Sequence, residues 1–160
     1  MKISAFASRL QFQLEKLDML HIKLDRKKTC YAPGDLIAGT IQASELPSEA
    51  HKLAIRLLWF TTGKGTRDVN TCCEIVQAIG PAPSTLAFEF IAPHRPLSFS
   101  GQLISLQWAI EVVAFPSKQS SLAEIVITHG DAEIILINRE DELKRLGIGK
   151  PALQFSSSGN

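Results

Sequence analysis

The sequence predicts an all-β protein, an immunoglobulin-like antiparallel β-sandwich closed by one short C-terminal helix. Three observations predict it. Apolar residues recur with period 2 along much of the chain, which places successive side chains on opposite faces of a strand. The alternating runs are short and are separated at near-regular spacing by Gly, Pro, Asp, Asn and Ser, the residues of tight turns. A helical segment with its end signals stands out at one place only, near the C-terminus. The composition supports a core of this kind: 160 residues, 45% hydrophobic and 21% charged, with 10 Gly and 8 Pro. A chain of that length buries about two thirds of the surface its extended form exposes. The same figures exclude disordered, collagen-like and coiled-coil chains.

In chain order, residues 6–17 fit two periods. Leu10, Phe12 and Leu14 suit a strand, while Phe6, Leu10, Leu14 and Leu17 suit a helical stripe; strand is preferred, so residues 1–19 are expected to form an N-terminal strand or arm. Leu20, Ile22 and Leu24 then alternate with His21, Lys23 and Asp25. Ile37 and Ile41 line one face of 36–43, and Lys52 to Phe60 is apolar on both faces apart from Arg56, as a central strand should be. Leu53, Ile55, Leu57 and Trp59 are its expected core side, and Gly63-Lys64-Gly65-Thr66 reads as a hairpin tip leading to a strand over 67–79. Leu86, Phe88 and Phe90 alternate around Glu89. The clearest alternation is Ile104, Leu106, Trp108, Ile110 and Val112 within 102–114. Strands are expected at 121–128 and 132–137, with Gly130-Asp131 as a tight reversal between them. Asn138 is placed to cap a helix over 140–146, acids in its first turn, bases in its last and Gly147 as terminator. The expected organisation is thus an arm (1–19), a sandwich (20–138), and a short helix with a frayed tail (139–160).

Charge and cysteine usage bound the function classes. Lys and Arg number 17 against 16 Asp and Glu, a net charge of +1, so nothing calls for nucleic acid or an anionic membrane. No apolar run reaches the roughly 20 residues of a membrane helix, and Arg9 interrupts any signal-peptide core. Three cysteines, Cys30, Cys72 and Cys73, make a poor disulfide framework and read as reduced thiols of a cytoplasmic protein. As neighbours on a strand, Cys72 and Cys73 are expected on opposite faces, one of them buried.

The chain offers no catalytic constellation and implies no cofactor. His21, His51, His94 and His129 are far apart and lack metal-ligand spacing. Neither Gly63-Lys64-Gly65-Thr66 nor Gly147-Ile148-Gly149-Lys150 supplies the phosphate-loop pattern, and Ser98-Phe99-Ser100-Gly101 lacks the flanking glycines of a nucleophile elbow. One basic cluster remains, Arg26-Lys27-Lys28, just after the first sandwich strand. Such a trio either binds a phosphate or an acidic peptide through charge-assisted hydrogen bonds or simply blunts a sheet edge.

Two stretches carry a family pattern. Tyr31-Ala32-Pro33-Gly34-Asp35 followed by Leu36-Ile37-Ala38-Gly39-Thr40-Ile41 resembles the opening of arrestin-like domains. The physics agrees, since Pro33 presets φ and Gly34 permits the positive φ of a type II turn. Phe88-Glu89-Phe90-Ile91-Ala92-Pro93, then Pro96-Leu97-Ser98-Phe99-Ser100-Gly101, then the strand from Ile104 is similar to the later signature of the same family. The resemblance covers about residues 20–115 and implies an immunoglobulin-like sandwich acting as an adaptor or scaffold; bacterial sporulation-control proteins are among its members. It implies a protein or peptide partner, engaged by strand addition at a sheet edge or on a concave sheet face, with a homodimer through paired edges as a further expectation. The competing expectation is a small-molecule or carbohydrate-binding sandwich that uses Trp59, Phe60 or Phe99 as an exposed platform.

Overall fold

The structure, a computed structural model, describes residues 19–147 apart from 28, 45, 47–51, 66, 81 and 82. The expected N-terminal strand, the frayed tail, His51 and Lys28 therefore lie outside the described residues. Along the chain run β1 (Leu20–Leu24), β2 (Cys30–Tyr31), β3 (Leu36–Ala43), β4 (Lys52–Gly63), β5 (Val69–Ala78), β6 (Ser84–Ile91), β7 (Phe99–Gly101), β8 (Ile104–Phe115), β9 (Ser120–Ile127), β10 (Ile134–Leu136) and α1 (Arg139–Arg145).

Two sheets face each other. The smaller is antiparallel, in the order β1-β3-β6. In the larger, β4 sits between β5 and β8 and pairs with β8 from Lys52↔Phe115 to Gly63↔Ile104. The far edge of β8 is shared: β7 pairs with it at Phe99↔Leu106 and β9 from Trp108↔Ile125 to Val113↔Ser120. Outermost lie β10, parallel to β7, and β2, parallel to β9.

Those two parallel pairings correct the wholly antiparallel sandwich that the alternation predicts, and they replace the expected reversal at Gly130-Asp131. The β9 register on β8 ends at Trp108, and two positions further on Leu106 is already paired with Phe99. The end of β9 instead meets the start of β7: Ile127 donates its N–H to the Ser98 hydroxyl at 2.9 Å, and Ser98 donates its own N–H to the Ile127 carbonyl at 2.8 Å. The chain then steps outward past β7 and continues in the same direction as β10. β2 and β7, two and three residues long, are too short to show a period.

The core lies between the sheets and follows the alternation. Ile37 and Ile41 of β3 and Leu53, Ile55 and Leu57 of β4 are fully buried, as are Trp108, Ile110 and Val112 of β8. The Trp108 indole N–H donates to the Pro96 carbonyl at 2.9 Å, so the largest core side chain keeps its polar atom satisfied. Trp59 is half-buried against this core. Leu58, Phe60 and Ala109 form a second buried cluster, and the Arg67 guanidinium lies 4.9 Å from the Phe60 ring centroid.

Two glycines show why the arrestin-like stretch reads as it does. Gly34 has φ +87° in a turn closed by Asp35 N–H donating to the Ala32 carbonyl at 2.9 Å, the expected type II geometry. Gly39 lies between β1 and β6, where a Cβ would come within 2.5 Å of the Lys23 carbonyl oxygen and 2.9 Å of the Phe88 ring. At the C-terminal end, the amides of Asp141 and Glu142 donate to the Asn138 carbonyl, and α1 ends at Gly147, φ +67°.

Candidate functional site

Of the basic trio, Arg26 is engaged within the domain. Arg26 donates to Asp35 Oδ2 at 2.8 Å, while the Asp35 carboxylate also accepts the Ala32 N–H at 3.1 Å. The guanidinium carbon lies 5.3 Å from the Tyr31 ring centroid. Asp35 is thereby held below its ordinary value of 3.8, first by the Arg26 hydrogen bond and then by the Ala32 amide. Its carboxylate neutralises much of the charge that Arg26 would offer an anion. Lys27 is exposed nearby, and Lys28 is outside the described residues.

Around this pair opens a cleft of about 410 Å³ that also takes in Cys30, Tyr31 and His129. The Tyr31 hydroxyl is buried without a hydrogen-bond partner, and burial pushes its pKa up. Among the described residues, no group of three or more His, Cys, Asp or Glu is placed to hold a metal ion. No helix among them is long and apolar enough to cross a membrane.

A second feature is larger and lies at the β10 edge. Every side chain of β10 is exposed although all three are apolar: Ile134 at 40%, Ile135 at 70% and Leu136 at 51%. Ile137 continues the run, and Leu103 and Ile104 are also exposed, at the turn from β7 into β8. Gly101 of β7 lies between β10 and the start of β8, where a Cβ would come within 2.5 Å of the Ile104 carbonyl oxygen. Gln102 of the same turn donates to Asp141 Oδ2 at 3.1 Å and ties α1 alongside. Scattered apolar side chains on a surface are ordinary, but a contiguous group on a short sheet edge is the signature of an interaction site.

Sequence reasoning missed this edge. Its signal was present in four consecutive apolar residues, Ile134 to Ile137. Such a run normally marks a strand buried on both faces. Here the strand lies outermost among the described residues, and its side chains on both faces are exposed.

The opposite edge of the large sheet is β5. Arg56 of β4 donates to Glu74 of β5 at 2.5 Å and to Glu111 of β8 at 3.3 Å, a cross-strand ion-pair ladder that matches the register of all three strands. Cys72 and Cys73 are both exposed, with their sulfurs 3.8 Å apart, so the expected opposite-face arrangement does not hold. A β-bulge is the reason: Leu57 pairs with Cys73 and Leu58 with Thr71, leaving Cys72 as the extra residue. The aromatic platform of the carbohydrate reading is not exposed either, because Phe60 is buried and Trp59 and Phe99 are half-buried against the core.

These features define a mixed two-sheet β-sandwich with one apolar edge. Among solved structures, Spo0M, a sporulation control protein from Bacillus subtilis, has a similar fold, with a TM-score of 0.52 and 16% identity over 69% of this chain and 49% of that one. The chain thus spans about half the length of that structure. A β-glucosidase from Listeria innocua matches at a TM-score of 0.40 and 10% identity over 72% of this chain and 16% of that one, too loosely to bear on function. No protein-family model matches the sequence, and comparison with curated proteins finds no match.

Proposed function

We propose that the chain is a non-enzymatic, arrestin-like adaptor or scaffold domain that binds another protein through the edge formed by β10. The observation that carries this reading is the exposure of Ile134, Ile135 and Leu136 together on an outermost strand. An apolar partner surface would gain there by covering side chains that the domain leaves in water, and the free backbone groups of β10 would add main-chain hydrogen bonds. The fold similarity to a sporulation control protein supports the arrestin-like part, since the family that the motifs resemble includes such proteins. Asp131 and Glu133 precede the apolar run, and acids and bases are mixed after it through Lys144 and Arg145, so a partner with an apolar centre fits best. A cytoplasmic setting suits the unpaired cysteines.

The test is quantitative capture with the immobilised full chain and its Ile135→Glu/Leu136→Glu variant. Proteins retained by the wild type and lost by the variant, with an unchanged circular dichroism spectrum, support the reading. Concentration-dependent dimers of the wild type that the variant abolishes would identify the partner as a second copy. Identical capture by the two proteins overturns it.

A further inference from the structure

The β5 bulge does more than expose two thiols; it makes them neighbours. On a regular strand adjacent side chains point to opposite faces, which holds their sulfurs apart. At Cys72 the ladder skips one residue, and the two sulfurs come to 3.8 Å on β5, which is the edge of the large sheet among the described residues. Cys72 is also the residue of β5 that the β4 register leaves without a partner. Its peptide can therefore rotate at little cost to the ladder.

We propose that Cys72 and Cys73 form a vicinal dithiol that closes reversibly to an intrachain disulfide by exchange with a low-molecular-weight disulfide such as oxidised glutathione. In the first step a thiolate of the pair attacks one sulfur of the small disulfide, breaking its S–S bond and releasing one small thiol. In the second, the neighbouring thiol loses its proton and attacks the protein sulfur of the mixed disulfide, releasing the second small thiol. The protein gives up two electrons and two protons, and the small disulfide is reduced to two thiols.

Two physical limits shape the product. Adjacent Cα atoms lie about 3.8 Å apart across a trans peptide, below the usual disulfide range of about 4.4–6.8 Å, so the ring is strained and readily reduced. Strained, exposed disulfides belong to the labile, regulatory class. The Cys72 thiol is raised above its ordinary value, by burial first and then by the Cys73 thiol beside it, which slows attack near neutrality and speeds it as pH rises. Cys30 takes no part: its thiol lies on β2 and donates to the Gly130 carbonyl at 3.7 Å. This inference does not rest on the β10 reading.

The experiment treats the folded full chain with oxidised glutathione at mildly alkaline pH, quenches with an alkylating reagent and reads the intact mass. The expected product is a monomer lighter by two hydrogens that takes one alkyl group instead of the three its free cysteines allow, with dithiothreitol restoring all three. Cys30→Ser should close as the wild type does. Cys72→Ser and Cys73→Ser should stop as glutathione adducts, and so should the urea-unfolded wild type, where the bulge no longer holds the pair. Persistent adducts on the folded wild type, disulfide-linked dimers, or three free thiols after treatment would each overturn the proposal.

Discussion

The two edges of the large sheet differ in how they meet water. β5 is a ten-residue edge with Glu74 tied into a charge ladder and a bulge at Cys72, and such devices discourage another strand from pairing along it. β10 is three residues long, wholly apolar and exposed, with neither charge nor bulge. An edge without protection persists in a native domain when something covers it. The difference separates a guarded edge, where chemistry at a thiol pair can occur, from an edge left for a partner.

The comparison can be broken most severely from inside the sandwich. Gly39→Ala forces a Cβ against the Lys23 carbonyl and the Phe88 ring, and overpacking at that site should lower stability by about 3 kcal/mol. Denaturant unfolding measures it, and hydrogen exchange should show both edges released together, which sets the scale for a global opening. Next in size, Arg56→Met removes the ladder that joins β5 to β4 and β8; the cost should be about 1 kcal/mol. Faster amide exchange confined to β5, with β10 unchanged, would show that the guarded edge has its own anchorage.

Smaller again is Gln102→Ala, which cuts the hydrogen bond from the β7–β8 turn to Asp141 of α1. It should cost about 0.5 kcal/mol and speed exchange in α1 and β10 but not in β5. The smallest effect belongs to neither edge. Asp35 has a lowered pKa in the folded chain, so its carboxylate binds a proton more weakly folded than unfolded. Its contribution to stability is present above the ordinary value of 3.8 and is lost as pH falls through the depressed one. Asp35→Asn should flatten that part of the acid unfolding curve by lowering stability slightly at neutral pH while leaving the most acid end unchanged.

Most strands were legible because period 2 survives wherever one face is buried. Leu106 to Val112 and Ile37 to Ile41 lie in the structure as their alternation predicts, whereas Ile104 at the start of the same strand is exposed, and Gly34 and Gly147 have the positive φ their turns require. What was illegible depended on contacts distant in sequence. The parallel placement of β10 follows from Phe99 occupying the edge of β8 ahead of β9, which no local pattern encodes. The thiol pair needed a bulge set by the β4 register, and Arg26 of the basic trio is paired with Asp35 nine residues away. For the apolar edge the sequence held a signal, Ile134 to Ile137, but a continuous apolar run reads alike for a central strand and an uncovered one.

The most direct test of the central claim is site-specific photocrosslinking. A photoreactive phenylalanine analogue is placed at Ile135 on β10 or at Val76 on β5, both exposed, and the chain is irradiated in the presence of its captured partner. Crosslinks from position 135 and none from position 76 are the result expected of an adaptor that docks by its apolar edge. Crosslinks from position 76 with none from position 135 would contradict it.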